Sequence, residues 1–194
     1  MKVAIIKYNA GNIQSVSFAL ERLGVDFSIT ENAEDIQAAE KVIFPGVGEA
    51  STTMEFLKGK KLDQLIPSLQ QPVLGICLGM QLMCKYSEEN DTECLGIFDE
   101  TVRRFVPQAD MKVPHMGWNR LSLKDSWLDK SIESEYAYFV HSYYVPVNQF
   151  TSAVTEYINP FSSALHFKNF YAVQFHPEKS AKTGELVLRS FLKL

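Results

Sequence analysis

Cys77 interrupts the apolar run Leu74-Gly75-Ile76-Cys77-Leu78-Gly79-Met80-Gln81 with a thiol set among small residues, after which apolar residues resume at helical spacing. A strand over 73–76 that ends in a tight turn, with a helix opening at Leu78, exposes the sulfur at the positive end of a helix. Backbone N–H groups there favour the thiolate. Far along the chain, Tyr171 to Phe175 reads as a second strand that runs into His176-Pro177-Glu178. Residues two apart on an extended chain project to one face, so His176 and Glu178 are expected side by side, with Pro177 stiffening the segment between them. Thiol, imidazole and carboxylate together make a nucleophile, a base and its orienter. The chemistry this implies is attack on a carbonyl, a thioester, then hydrolysis. Each residue also has a bland alternative: a buried cysteine acting as a small hydrophobe, a satisfied strand-end histidine, a solvated helix-capping glutamate. The joint pattern favours the chemistry.

The elements that must position these groups follow from the hydrophobic pattern. A strand Val3 to Ile6 precedes a helix with apolar Ile13, Val16, Leu20 and Leu23, closed by Gly24, and then a short strand alternates at Val25, Phe27 and Ile29. Lys41 to Phe44 and Val73 to Ile76 are short apolar runs separated by helical stretches, which is the βαβ rhythm of a parallel sheet. From Thr101 onward strands dominate, at Tyr136 to Val140, Ala153 to Tyr157, Ala164 to Phe167 and Phe170 to Phe175, before a final helix from Gly184 to Leu194. The polar stretch Ser87 to Glu93 is expected as a loop inserted after the elbow helix. The fold class is therefore α/β, three layers about a mixed, largely parallel sheet, with active residues at the C-terminal ends of its parallel strands.

At 194 residues, 46% hydrophobic and 12% aromatic, the chain is long enough for one domain over 1–194 with a sizeable core. A net charge of −4 without any lysine-arginine block argues against nucleic acid as a partner. Cys77, Cys84 and Cys94 are odd in number and lack C-x-x-C spacing, so neither a disulfide framework nor a metal site is expected. No basic leader segment precedes Val3, and no run of eighteen apolar residues occurs. A soluble cytoplasmic protein without membrane contact is the expectation.

Gly75-Ile76-Cys77-Leu78-Gly79-Met80-Gln81 together with Phe175-His176-Pro177-Glu178 resembles the triad signature of the class I glutamine amidotransferases, and the resemblance spans the chain. It implies a flavodoxin-like glutaminase domain that needs no cofactor and releases ammonia from glutamine, with Cys77, His176 and Glu178 catalytic. Pro45-Gly46-Val47-Gly48 resembles the family's oxyanion strand, where a backbone amide of Gly46 or Val47 joins that of Leu78 to stabilise the tetrahedral intermediate. As a nucleotide-binding loop the same stretch fails, because Ser51 stands where the third glycine belongs. By resemblance Gly48, Gln81, Ser142 and Tyr143 bind the glutamine substrate.

Within the family, Pro114-His115-Met116-Gly117-Trp118-Asn119, His141-Ser142-Tyr143-Tyr144 and Lys179-Ser180 resemble the branch in which the glutaminase is a separate subunit, forming a heterodimer with a (β/α)₈ cyclase. In that branch ammonia passes through the barrel to a phosphoribosyl-derived precursor. The products are imidazole glycerol phosphate, for histidine, and an aminoimidazole carboxamide ribonucleotide. The resemblance implies a partner face carrying Asn12, Met116, Trp118 and Lys179, with the Met-Gly-Trp stretch expected as an exposed loop. Lys7-Tyr8-Asn9-Ala10-Gly11-Asn12 departs from the family's D-Y-G-x-G-N at Lys7 and Asn9. His115 and His141, with no carboxylate two residues on, are assigned no chemistry. Two other readings stay open: a glutaminase serving a different synthase, such as one for pyridoxal phosphate or anthranilate, and a non-catalytic scaffold of the same fold.

Overall fold

The computed structural model describes residues 1–8, 13–108, 110–124 and 127–194. In chain order the elements are β1 (Lys2–Ile6), α1 (Ile13–Arg22), β2 (Asp26–Thr30), α2 (Ala33–Ala38), β3 (Lys41–Phe44), α3 (Ala50–Gly59), α4 (Leu62–Ser68), β4 (Val73–Ile76) and α5 (Leu78–Leu82). There follow β5 (Cys84–Ser87), β6 (Thr92–Glu93), β7 (Phe98–Arg104), β8 (His115–Arg120), β9 (Ser122–Leu123), β10 (Tyr136–His141), β11 (Tyr143–Tyr144), β12 (Thr151–Tyr157), β13 (Asn159–Phe167), β14 (Phe170–Val173) and α6 (Ala181–Leu192).

Alternation along β1 explains the layering. Ala4 and Ile6 pack into one buried cluster with residues of α2, α3 and α4, while Val3 and Ile5 pack into another with α1 and α6. After the exposed Lys2, β1 is apolar at every position and buried on both faces, which is what a parallel sheet under two helical layers requires. The sheet runs β2-β1-β3-β4-β14-β13-β12-β9. Its first five strands are parallel and the last three are joined by antiparallel pairing, so the sheet is mixed and largely parallel, as the pattern predicts. The ends of β3, β4 and β14 come together, and Pro45, Cys77 and Gln174 leave them there.

Two smaller sheets lie beside the main one, the ribbon β10-β8 and the group β11-β7-β5-β6. Three expectations are corrected here. The elbow helix is only the five residues of α5, and the polar stretch after it is the turn of the β5–β6 hairpin rather than a helix-following insertion. Strand β14 stops at Val173, short of Phe175; Gln174 N–H still reaches Ser163 O on β13, but His176 N–H donates to Tyr138 O on the ribbon, so the chain has left the sheet by then. The last helix starts at Ala181, earlier than Gly184. Gly184 sits inside it because a Cβ there would run into the Pro177 backbone, so α6 packs directly on the His-Pro-Glu turn. No helix among the described residues is long and apolar enough to cross a membrane.

Candidate active site

Cys77 holds φ +53° and ψ −108°, a conformation that side chains rarely adopt, at the turn between β4 and α5. Such strain persists only where the surroundings over-determine it. Its N–H donates to Val173 O at 2.8 Å, and α5 lies so close to β3 that a Cβ on Gly79 would collide with the Phe44 carbonyl. The sulfur is thereby delivered to the rim of a cavity of about 320 Å³, at the small end of ordinary ligand pockets (~300–1,000 Å³). Val47, Gly48, Leu78, Gln81, Ser142, Tyr143 and His176 line the cavity with Cys77, so the candidate nucleophile, base and substrate-binding residues share one space.

His176 Nδ1 meets Glu178 Oε1 at 2.7 Å, with both side chains buried. They do not meet across an extended strand: residues Pro177–Lys179 form a 3₁₀ turn for which His176 is the cap, and the carboxylate reaches back across that turn. Proline fits its first position because no N–H is needed there. Neighbouring elements fix the histidine backbone: its N–H donates to Tyr138 O at 2.9 Å, and the Ser180 hydroxyl donates to His176 O at 2.7 Å. Burial opposes protonation of the ring, but the charge and hydrogen bond of the Cys77 sulfur, with those of the Glu178 carboxylate, outweigh it and raise the imidazole to about 10. Since Nδ1 is on the carboxylate, Nε2 is the nitrogen left for the sulfur. An imidazolium beside a sulfur is the setting of a thiolate nucleophile.

The oxyanion stretch is found in a closed arrangement. Leu78 N–H donates to Gly46 O at 3.3 Å, so one of the two expected donors is occupied by the strand itself. Gly46 does not line the cavity; a Cβ on it would press on the Tyr8 hydroxyl, Gly79 N and Leu78 Cβ. Tyr8 is buried and donates its hydroxyl hydrogen to Pro45 O, and burial with the nearby Cys77 pushes its phenol far above the ordinary range.

Met116 and Trp118 lie on β8, not in a loop, because the stretch alternates: they point outward, 64% and 52% exposed, while His115 on the same strand is buried. Across the ribbon Tyr138 meets Trp118 edge-on, and Lys179 Nζ lies 6.0 Å from the Tyr138 ring centre. The structure thus gathers Met116, Trp118 and Lys179 on one face outside the cavity. Asn12 lies outside the described residues.

The class-I glutamine amidotransferase family model matches residues 4–194. The chain belongs to this family. Among relatives of this amidotransferase, the imidazole glycerol phosphate synthase subunit HisH of Bacteroides thetaiotaomicron is 64% identical, covering all of both chains. The subunit of the same name from Idiomarina loihiensis is 46% identical over all of this chain and 98% of its own. The fold matches a glutamine amidotransferase crystal structure (TM-score 0.76, 18% identity, 98% of this chain and 97% of that one). It also matches a GMP synthase-like protein from Thermoplasma acidophilum (TM-score 0.74, 20% identity, 100% and 92%).

Two residues of the candidate site go unnoticed in the sequence. Glu89 is the acidic side chain lining the cavity; its Oε2 accepts Ala50 N–H at 2.9 Å, and burial above all, then the charge of Glu49, raises its carboxyl despite that bond. Its polar neighbourhood gives it the look of loop surface. Gln174, fully buried, donates from Nε2 to Cys77 Sγ at 3.6 Å. Its signal is present, since it stands two residues before His176.

Proposed function

We propose that this chain is the glutamine-hydrolysing subunit of an imidazole glycerol phosphate synthase, supplying ammonia to a (β/α)₈ cyclase. The observation that carries the chemistry is Cys77 at its strained turn with His176 and Glu178 locked behind it. The full-length relationship to subunits of that name supports the choice of synthase.

The Cys77 thiolate attacks the side-chain carboxamide carbon of glutamine. His176 gives its proton to the amide nitrogen, the C–N bond breaks, ammonia leaves and a thioester remains. Water then gives a proton to His176 and attacks the thioester, releasing glutamate and the thiolate. Glu178 keeps the ring oriented and stabilises its charged form. Glu89 meets the α-ammonium of the substrate, the group that a lone carboxylate in a cavity can bind and be held ionised by. Both N–H groups of Gln81 are used, on Tyr143 O at 3.0 Å and Gln174 Oε1 at 2.9 Å, so its carbonyl oxygen is what it offers the ligand.

With Leu78 N–H engaged by Gly46 O, the free subunit is slow. Turning the Gly46–Val47 peptide releases Leu78 and aims Val47 N–H at the same point, giving two oxyanion donors, each worth about 3–4 kcal/mol of barrier in other enzymes. The partner, docked on the face of Met116, Trp118 and Lys179, favours that turn. The test is an assay with a cyclase and its acceptor nucleotide, with glutamine or ammonium salt as nitrogen source. Glutamine-dependent synthesis that Cys77→Ala abolishes while ammonium-dependent synthesis continues supports the reading. Glutaminase activity of the isolated chain equal to that of the acceptor-bound complex removes the gating. Absence of glutamine-dependent product with an active cyclase removes the choice of synthase.

A further inference from the structure

We propose that His115 and His141 are positioning residues for the Cys77 reaction, the start of a hydrogen-bond relay that runs from the inner face of the β8–β10 ribbon to the nucleophile sulfur. The proposal rests on Cys77 being the nucleophile, as read above.

On the ribbon side the hydrogens can run only one way, toward Tyr143 O. Tyr143 O can only accept, and His141 Nδ1 lies 2.7 Å from it, so His141 carries its hydrogen on Nδ1. A neutral ring then has a bare Nε2, which must accept; His115 Nδ1 lies 2.9 Å away and is the donor. His115 is left with a bare Nε2, and the Asn119 amide nitrogen faces it at 3.3 Å. Both rings are neutral because burial pushes them down, His115 to about 4 and His141 to about 3. The neighbours of His115 are aromatic faces, Tyr157 stacked at 4.0 Å and Phe139 at 5.0 Å.

Tyr143 O is the junction, because a carbonyl oxygen accepts twice. On its other side it takes a hydrogen from Gln81 Nε2 at 3.0 Å. The second Gln81 N–H goes to Gln174 Oε1 at 2.9 Å, which turns the Gln174 amide nitrogen toward Cys77 Sγ at 3.6 Å. Two donor chains converge on the Tyr143 oxygen: turning His141 over would set a lone pair against Tyr143 O from the ribbon side, and turning Gln81 over would set its oxygen against both Tyr143 O and Gln174 Oε1 from the cavity side. The histidine pair holds the Tyr143 carbonyl in place, and that carbonyl fixes which atom Gln81 presents to the cavity and, through Gln174, an N–H on the sulfur. Its start lies on the strands whose outer face carries Met116, Trp118 and Tyr138, so a partner pressing on that face acts on the same strands.

A purely structural histidine pair would be served by any well-packed replacement. His115→Phe keeps the stacked ring and removes the N–H; His115→Asn loses the stacking and keeps an amide N–H where Nδ1–H was. The same logic gives His141→Leu and His141→Asn. In the complex with cyclase and acceptor, His115→Phe and His141→Leu should lower kcat/KM for glutamine by about tenfold, the scale of one buried hydrogen bond. They should also slow Cys77 alkylation by iodoacetamide at a fixed pH. The two asparagine variants should recover most of both, even where their melting temperatures are lower. Activity and alkylation that instead follow melting temperature, with His115→Phe equal to wild type, overturn the relay. If the variants do not fold, nitrogen-15 NMR of the histidine rings in the unaltered protein decides. Nδ1–H tautomers for both support the proposal, and an Nε2–H tautomer at either overturns it. A wild-type complex without glutaminase activity would instead overturn the assignment of Cys77 itself.

Discussion

The elbow around Cys77 and the β8–β10 ribbon both reach the same sulfur, and they are built in opposite ways. At the elbow every residue from Val73 to Cys84 is buried, glycines allow backbone to touch backbone, and the nucleophile is held at positive φ. The ribbon is a two-stranded sheet with one face exposed, tied to the site by a few directional bonds: His176 N–H on Tyr138 O, Tyr138 N–H on the Ser180 hydroxyl, and the His141 ring on Tyr143 O. Close packing tolerates little adjustment. A two-stranded ribbon with one solvent-exposed face is held less tightly. On the reading proposed above, the bond-making atom sits in the close-packed part and the partner acts through the ribbon.

The sharpest test of that contrast lies at the elbow. Cys77→Ser should reduce glutamine-dependent activity to background, since an alkoxide is far harder to form than a thiolate in a site built for sulfur. A glutamine-like electrophile should label Cys77 alone. Burial pushes Cys84 well above the ordinary thiol range and Cys94 to about 12, so neither competes. Mass spectrometry that finds the adduct on Cys84 or Cys94 would end the assignment.

Glycine-to-alanine changes compare the two regions directly. On Gly79 a new Cβ meets the Phe44 carbonyl, which is backbone and cannot move aside, so overpacking of about 3 kcal/mol is expected. Gly117 on the ribbon has φ +137° but open space around its Cβ position, so only backbone strain remains, about 1–2 kcal/mol. Urea unfolding of both variants measures this. A larger loss at Gly117 would reverse the assignment of rigid and adjustable parts.

On the outer face of the ribbon, Trp118→Ala should weaken association with the cyclase by about 2 kcal/mol or more, roughly thirtyfold. Ammonium-dependent synthesis, which needs only the cyclase, should persist. Unchanged affinity by titration calorimetry would move the docking face elsewhere.

How much of this is legible in the chain depends on how local the cause is. The elbow and the His-Pro-Glu motif are readable because their chemistry is written in adjacent residues. The parallel core is readable because β1, β3 and β4 are short apolar runs. Met116-Gly117-Trp118 reads as a loop because exposed methionine and tryptophan on a strand mimic loop composition when the inward alternates, His115 and Asn119, are polar. The part played by Gln81 is foreseeable only as a reach toward ligand; which of its atoms is free depends on Gln174 and Tyr143, both distant in sequence. His115 and His141 carry no signal at all, since their pairing exists only once β8 and β10 lie antiparallel with those two residues in register.

That buried pair also gives the ribbon a measurable pH signature. In the unfolded chain each histidine titrates near 6.5, whereas burial holds His115 at about 4 and His141 at about 3 in the fold. Between those values the unfolded state binds more protons than the folded one, so stability rises with pH through the window. The contribution is complete above about 6.5 and is lost as the pH falls, by up to about 1.4 kcal/mol per pH unit for each histidine. Carboxylates add their own acid slope, so the informative quantity is the difference between wild type and His115→Phe, which keeps the ring but cannot titrate. Urea unfolding at pH 7 and pH 5 should show wild type losing about 2 kcal/mol more than the variant over that interval. Equal losses would mean that His115 is charged or solvated in the fold. The relay would then have no fixed direction, and the ribbon would be tied to the site by backbone alone.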